Sequence, residues 1–87
     1  MMIYKYPLKW DDPQTLQIPG LKRILSVQLQ NFEPMLWAMV DESADTEPVC
    51  IRILGTGNRL PPKPGEFIDT VQVGSFVFHF FKGEVAT

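Results

Sequence analysis

The chain has 87 residues, 8 basic and 10 acidic, a net charge of −2 and one cysteine. That length supports one modest core and not two, so a single domain over residues 1–87 is expected. Charges mixed along the chain without a basic stripe exclude a dedicated nucleic-acid binder, and the lone cysteine excludes an internal disulfide or a cysteine metal cage.

No apolar run approaches the roughly 20 residues of a membrane helix. The start, Met1-Met2-Ile3-Tyr4-Lys5, does not read as a signal peptide, so a soluble, cytoplasmic protein is expected, with no membrane partner. Ile3 to Leu8 is rich in strand formers, and Pro7 marks an edge strand or a strand end. Trp10 to Pro13 turns, because Asx residues before proline favour turn initiation. Thr15 to Ile18 alternates and is closed by Pro19-Gly20.

Leu21 to Gln30 is the longest strand, with Leu25, Val27 and Leu29 on one face and Ser26, Gln28 and Gln30 on the other. After a turn at Asn31 to Pro34, Met35 to Val40 adds Leu36, Ala38 and Val40 to the core face. Met35, Trp37 and Met39 then fall beside Ser26 and Gln28. Large apolar groups among polar ones require cover, either from a second layer of the same domain or from a partner.

Asp41 to Pro48 is an acidic loop. Asp41, Ser43, Asp45 and Glu47 begin like a calcium loop, but Thr46 stands where glycine is needed and Arg52 where a bidentate Glu is needed. Val49 to Leu54 is the next strand and carries Cys50 as a buried, inert thiol. Gly55, Thr56, Gly57 and Asn58 end it, and with Arg59 they are the candidate anion or nucleotide site, since glycines permit a nest of backbone N–H groups. This is no P-loop, because Leu60 to Gly65 is a stiff proline-rich spacer that cannot start a helix.

The closing segment is a hairpin, Phe67 to Val73 and Phe76 to Phe81, joined by Gly74-Ser75, with glycine first as in a type II′ turn. It holds five of the six phenylalanines and the only histidine. Pairing across that turn sets Val73 opposite Phe76, Val71 opposite Phe78, Asp69 opposite Phe80 and Thr70 opposite His79. Phe67, Val71, Val73, Phe76, Phe78 and Phe80 then share a core face, with Val77, His79 and Phe81 on a mixed face. Asp69 belongs at a sheet edge or beside a cation, and His79 is satisfied by a neighbour such as Thr70. Residues 82–87 read as a frayed tail.

Seven short strands without a helical stretch describe an all-β chain, a compact antiparallel sandwich or partly open barrel. Five segments together carry a resemblance: Ile3 to Leu8, Ile24 to Asn31, Leu36 to Asp41, Gly55 to Asn58, and Phe76 to Phe80. In this order they are similar to an uncharacterised family of small phage and prophage proteins. The chain departs at Phe32, where that family turns with Asn-Gly, so a longer or rearranged loop is expected there.

The resemblance implies phage or prophage origin and carries no activity with it. No cofactor or metal is implied, and without a placed acid/base pair no catalysis is expected. The leading expectation is a non-enzymatic accessory module that self-associates, or binds a host or phage protein, through Met35, Trp37, Met39, Val77, His79 and Phe81. A second is a ligand-binding protein that sequesters a nucleotide-type signal of host defence at the glycine loop. A virion component is a third.

Overall fold

The computed structural model describes residues 1–85 and contains seven strands, with no helix among those residues. They are β1 (Met2–Pro7), β2 (Gln14–Pro19), β3 (Leu21–Gln30), β4 (Glu33–Val40), β5 (Thr46–Gly55), β6 (Glu66–Val73) and β7 (Phe76–Gly83). Three strands form a sheet in the order β1-β4-β3 and four form a second in the order β2-β5-β7-β6, with every pairing antiparallel. This is the expected sandwich, and no ladder closes it into a barrel.

Alternation supplies the core. Val27, Leu36, Ala38 and Val40 face inward from the three-stranded sheet, and Ile18, Ile51 and Phe80 from the four-stranded one, all fully buried. Each large apolar side chain so placed contributes roughly 1.5–3 kcal/mol. Trp10, in the β1–β2 loop, covers one end, its ring 5.1 Å from Phe78 and 6.4 Å from Phe80. The molecule is a slab of 40 × 32 × 16 Å, with a radius of gyration of 12.9 Å. A compact domain of this length has a radius of about 12 Å. Two layers enclose one core, and neither outer face carries a third.

The β6–β7 hairpin forms with the register read from its turn, from Val73↔Phe76 to Asp69↔Phe80. Gly74 has φ +59° and Ser75 is not in the left-handed region, as a type II′ turn requires. Beyond Asp69 a bulge at Ile68 shifts the pairing to Phe67↔Phe81. Phe67 therefore leaves the expected core face, is 57% exposed, and meets Phe81 edge-on at 5.6 Å, while Ile68 packs against the core. Phe76, also expected in the core, is 67% exposed at the hairpin tip, where its ring stacks 6.3 Å from Phe78.

Two more bulges, at Lys22 and Leu25, break the register of β3 against β4. An extra residue turns every side chain beyond it to the other face. Leu25 is thus exposed rather than in the core, and Leu21 and Ile24 pack inward in its place. The expected frayed tail is also corrected: Lys82 and Gly83 are strand residues, paired with Ile51 and Cys50 of β5. Residues 86–87 of that tail lie outside the described residues.

Where β3 and β6 run alongside each other, no backbone ladder joins the sheets. Asp69 supplies the link: the amide N–H of Val27 donates to its carboxylate at 3.2 Å, and the N–H of Thr70 donates to the other oxygen at 2.9 Å. The edge position expected for Asp69 is thus observed, with a backbone amide rather than a cation as partner.

The β3–β4 turn is not lengthened. Asn31 and Phe32 form a two-residue loop with φ values of +54° and +65°, and Phe32 is 82% exposed. A left-handed conformation at a residue with a Cβ costs about 1–2 kcal/mol, and an exposed ring recovers little of it by burial. Phe32→Gly is accordingly expected to raise the melting temperature by about 4–8 °C per kcal/mol of relieved strain. An unchanged or lower temperature in a thermal melt contradicts this account of the turn.

Candidate functional site

Strand alternation sends the residues expected to form an interaction surface to opposite sides of the slab. Met35, Trp37 and Met39 point out from β4, between the buried Leu36, Ala38 and Val40, and all three are half-buried. Val77, His79 and Phe81 point out from β7 on the far face of the other sheet, also half-buried. They are two surfaces and not one.

The face outside the three-stranded sheet is mainly apolar along its centre. Ile3, Lys5 and Pro7 of β1 stand opposite Met39, Trp37 and Met35, and Arg23, Ser26 and Gln28 of β3 stand opposite the same three from the other side. Ile3 is 60% exposed. The ammonium of Lys5 donates to Gln30 Oε1 at 2.7 Å, so its aliphatic stem crosses β4 over the Met35 region. That strap shields part of the stripe, as long cationic side chains can. The Ile3, Trp37 and Met39 end has no such cover.

On the opposite face His79 is held on both ring nitrogens. Its Nε2 lies 2.7 Å from Thr56 Oγ1 and its Nδ1 lies 2.9 Å from Thr70 Oγ1. One nitrogen of a neutral imidazole donates and the other accepts, so one threonine hydroxyl accepts and the other donates. The Thr70 contact follows from the expected register, whereas Thr56 arrives from the glycine loop. No ring nitrogen is left free for a metal, and Nδ1 faces a hydroxyl where a hydrolytic triad has a carboxylate. Among the described residues no group of three or more His, Cys, Asp or Glu is arranged to hold a metal ion.

The glycine loop is a turn rather than an open nest. Asn58 N–H donates to the Gly55 carbonyl at 3.1 Å and Thr56 N–H to the Val77 carbonyl at 3.0 Å, with Gly57 at φ +90°. Two of the amides that would cradle an anion are already committed, and Arg59 is exposed beside them. The expected anion site at Gly55, Thr56, Gly57, Asn58 and Arg59 therefore lacks its run of free donors.

Arg52 and Asp12 are the charged pair of this face. Arg52 Nε donates to Asp12 Oδ1 at 2.8 Å and Nη2 to Oδ2 at 3.1 Å, while the Ile53 N–H also donates to Oδ1 at 3.0 Å. Arg52 foremost, and the amide with it, hold the Asp12 carboxyl below the usual carboxylate range, against an opposing push from partial burial. Cys50 is buried and free, beside a cleft of about 220 Å³ shared with Thr15, Arg52 and Lys63.

A larger cleft of about 390 Å³ opens where β3 and β6 diverge beyond Asp69. Its walls include Leu21, Ile24, Leu25 and Phe67, and its charged members are Lys22, Arg23, Lys82 and Glu66. Sequence reading misses this cleft because the bulges at Lys22, Leu25 and Ile68 create it.

Residues 1–87 match the family described as a domain of unknown function (DUF7352). No curated protein and no solved structure matches the chain. No helix of the described residues is long and apolar enough to cross a membrane.

Asp12 sets a pH dependence. Its folded carboxyl binds a proton less tightly than the unfolded one, near 3.9. Its contribution is therefore complete above that value and fades as pH falls through the lowered folded one. Asp12→Asn is expected to cost about 1 kcal/mol in urea unfolding between about pH 5 and 7, a figure reduced for solvent screening. The difference from wild type is expected to shrink towards about pH 2–3, and a difference constant with pH contradicts the assignment.

Proposed function

This chain belongs to the DUF7352 family, and on that premise we propose that it is a non-enzymatic, self-associating β module, an accessory protein of phage or prophage origin. The origin rests on the likeness of its sequence to small phage and prophage proteins. The self-association rests on one observation, the apolar row of exposed Ile3 and half-buried Trp37 and Met39 on the outer face of the three-stranded sheet.

A second copy is the occupant that best fits this row. The slab has one thin core, and a chain of this size leaves roughly 40% of its unfolded surface in water, so added burial stabilises it. A two-fold axis through the patch sets the same apolar groups on one another, and closed self-complementary contacts are the commonest oligomer interface. Trp and Met are enriched in such interfaces. Catalysis is not part of the proposal, since His79 spends both nitrogens on threonine hydroxyls.

Trp37→Glu is expected to weaken the oligomer at least about 30-fold, the loss of one interface hot spot, while the monomer stays folded. Sedimentation velocity across a concentration series, with circular dichroism as the folding control, reads both. A variant that associates as tightly as wild type contradicts the choice of face.

A further inference from the structure

Building on the self-association reading above, we propose that charge registers the two copies: the acidic corner of each, Glu42 and Asp45 of the β4–β5 loop with Glu47 at the start of β5, docks on the basic cleft of the other, Lys22, Arg23 and Lys82.

The acidic side is presented rigidly. Gly20 N–H donates to the Asp45 carbonyl at 3.2 Å and Asp41 N–H to the Gly20 carbonyl at 2.9 Å, which fastens the loop to the corner where β3 begins. Gly20 has φ +46°, and a Cβ there would lie 2.6 Å from the Asp41 carbonyl oxygen, so no other residue fits this corner without movement. Asp41 is used internally, accepting from the Ser43 amide and hydroxyl at 3.0 and 2.6 Å. Glu42 lies 4.0 Å from the N-terminal ammonium, whereas Asp45 and Glu47 are exposed with no ion pair among the described residues.

The basic side is also free of ion pairs among the described residues; Ser43 chiefly holds the Asp41 carboxyl below the usual carboxylate range, and Lys22 exerts only a minor pull on it. Lys22, Arg23 and Lys82 are exposed around the 390 Å³ cleft, with Glu66 the one carboxylate lining it. Like charges gathered at one cleft repel one another and favour an incoming anion.

Both patches adjoin the Met39 end of the apolar row. Arg23 stands opposite Met39 on one side and Ile3 on the other, and β4 runs on from Met39 through Val40 into Asp41 and Glu42. A two-fold axis near Met39 then lays apolar on apolar and exchanges acid for base at both margins. An apolar centre with a charged, solvent-accessible rim is the usual anatomy of such contacts.

A charge swap tests it by sedimentation equilibrium at low salt. Lys22→Glu with Arg23→Glu, and separately Asp45→Lys with Glu47→Lys, are each expected to weaken the homodimer at least about tenfold. Their equimolar mixture is expected to recover wild-type affinity, because both margins of the mixed dimer again pair opposite signs. If a reversal unfolds the chain, Lys22→Gln with Arg23→Gln reads the same loss without repulsion. A wild-type dimer whose variants dimerise unchanged, or whose mixture does not recover, overturns the charge register and leaves self-association standing. A wild type that stays monomeric overturns self-association, and the register with it.

Discussion

Two aspartates close the places where strands run past their partners. A strand edge carries backbone donors that must be satisfied when they are buried. Beyond Ile51, β5 no longer has β2 beside it, and the Ile53 amide donates to Asp12. β3 has no ladder on its β6 side, and the Val27 amide donates to Asp69. Each bond spans about half the chain, with sequence separations of 41 and 42 residues. Asp69 keeps the last hairpin against the three-stranded sheet, so Val71 and Phe80 are covered. Asp12 anchors the β1–β2 loop that carries Trp10 over Phe78.

With the edges held this way, all seven strands spend their inward side chains on one core. Outer faces are then left to whatever the sequence places there. On the four-stranded sheet the answer is mixed: His79 with two threonines and Arg52 with Asp12, beside Val77, Phe81 and the exposed ring of Phe67. On the three-stranded sheet it is Ile3, Trp37 and Met39, partly strapped by Lys5. What directs the functional reading to the second is that its apolar row follows the central strand β4, flanked by the exposed Ile3 of β1.

Local chemistry was readable and long-range register was not. Gly74-Ser75 specifies a hairpin turn, and the turn fixes pairing as far as Asp69, including Thr70 opposite His79. Alternation correctly assigns Leu36, Ala38 and Val40 to the core. The reading fails at Phe67, beside a bulge, and at Leu25, the bulged residue itself, because one extra residue reverses the faces and nothing in a single strand announces it. Phe32 differs for another reason: it stands where the similar family turns with glycine, which argues for a longer loop, yet the pairing of Gln30 with Glu33 keeps the turn at two residues. The Thr56–His79 contact joins residues 23 apart and depends on where the β5 turn folds back. The cleft between β3 and β6 arises from three bulges, so it was invisible for the same reason as Phe67.

Native mass spectrometry of the unmodified protein, taken gently from its expression host, tests self-association most directly. The account predicts a species of twice the chain mass that carries no additional small molecule. A bare monomer across the concentration range would contradict it, and a monomer with a bound mass of a few hundred daltons would do so while redirecting attention to a ligand.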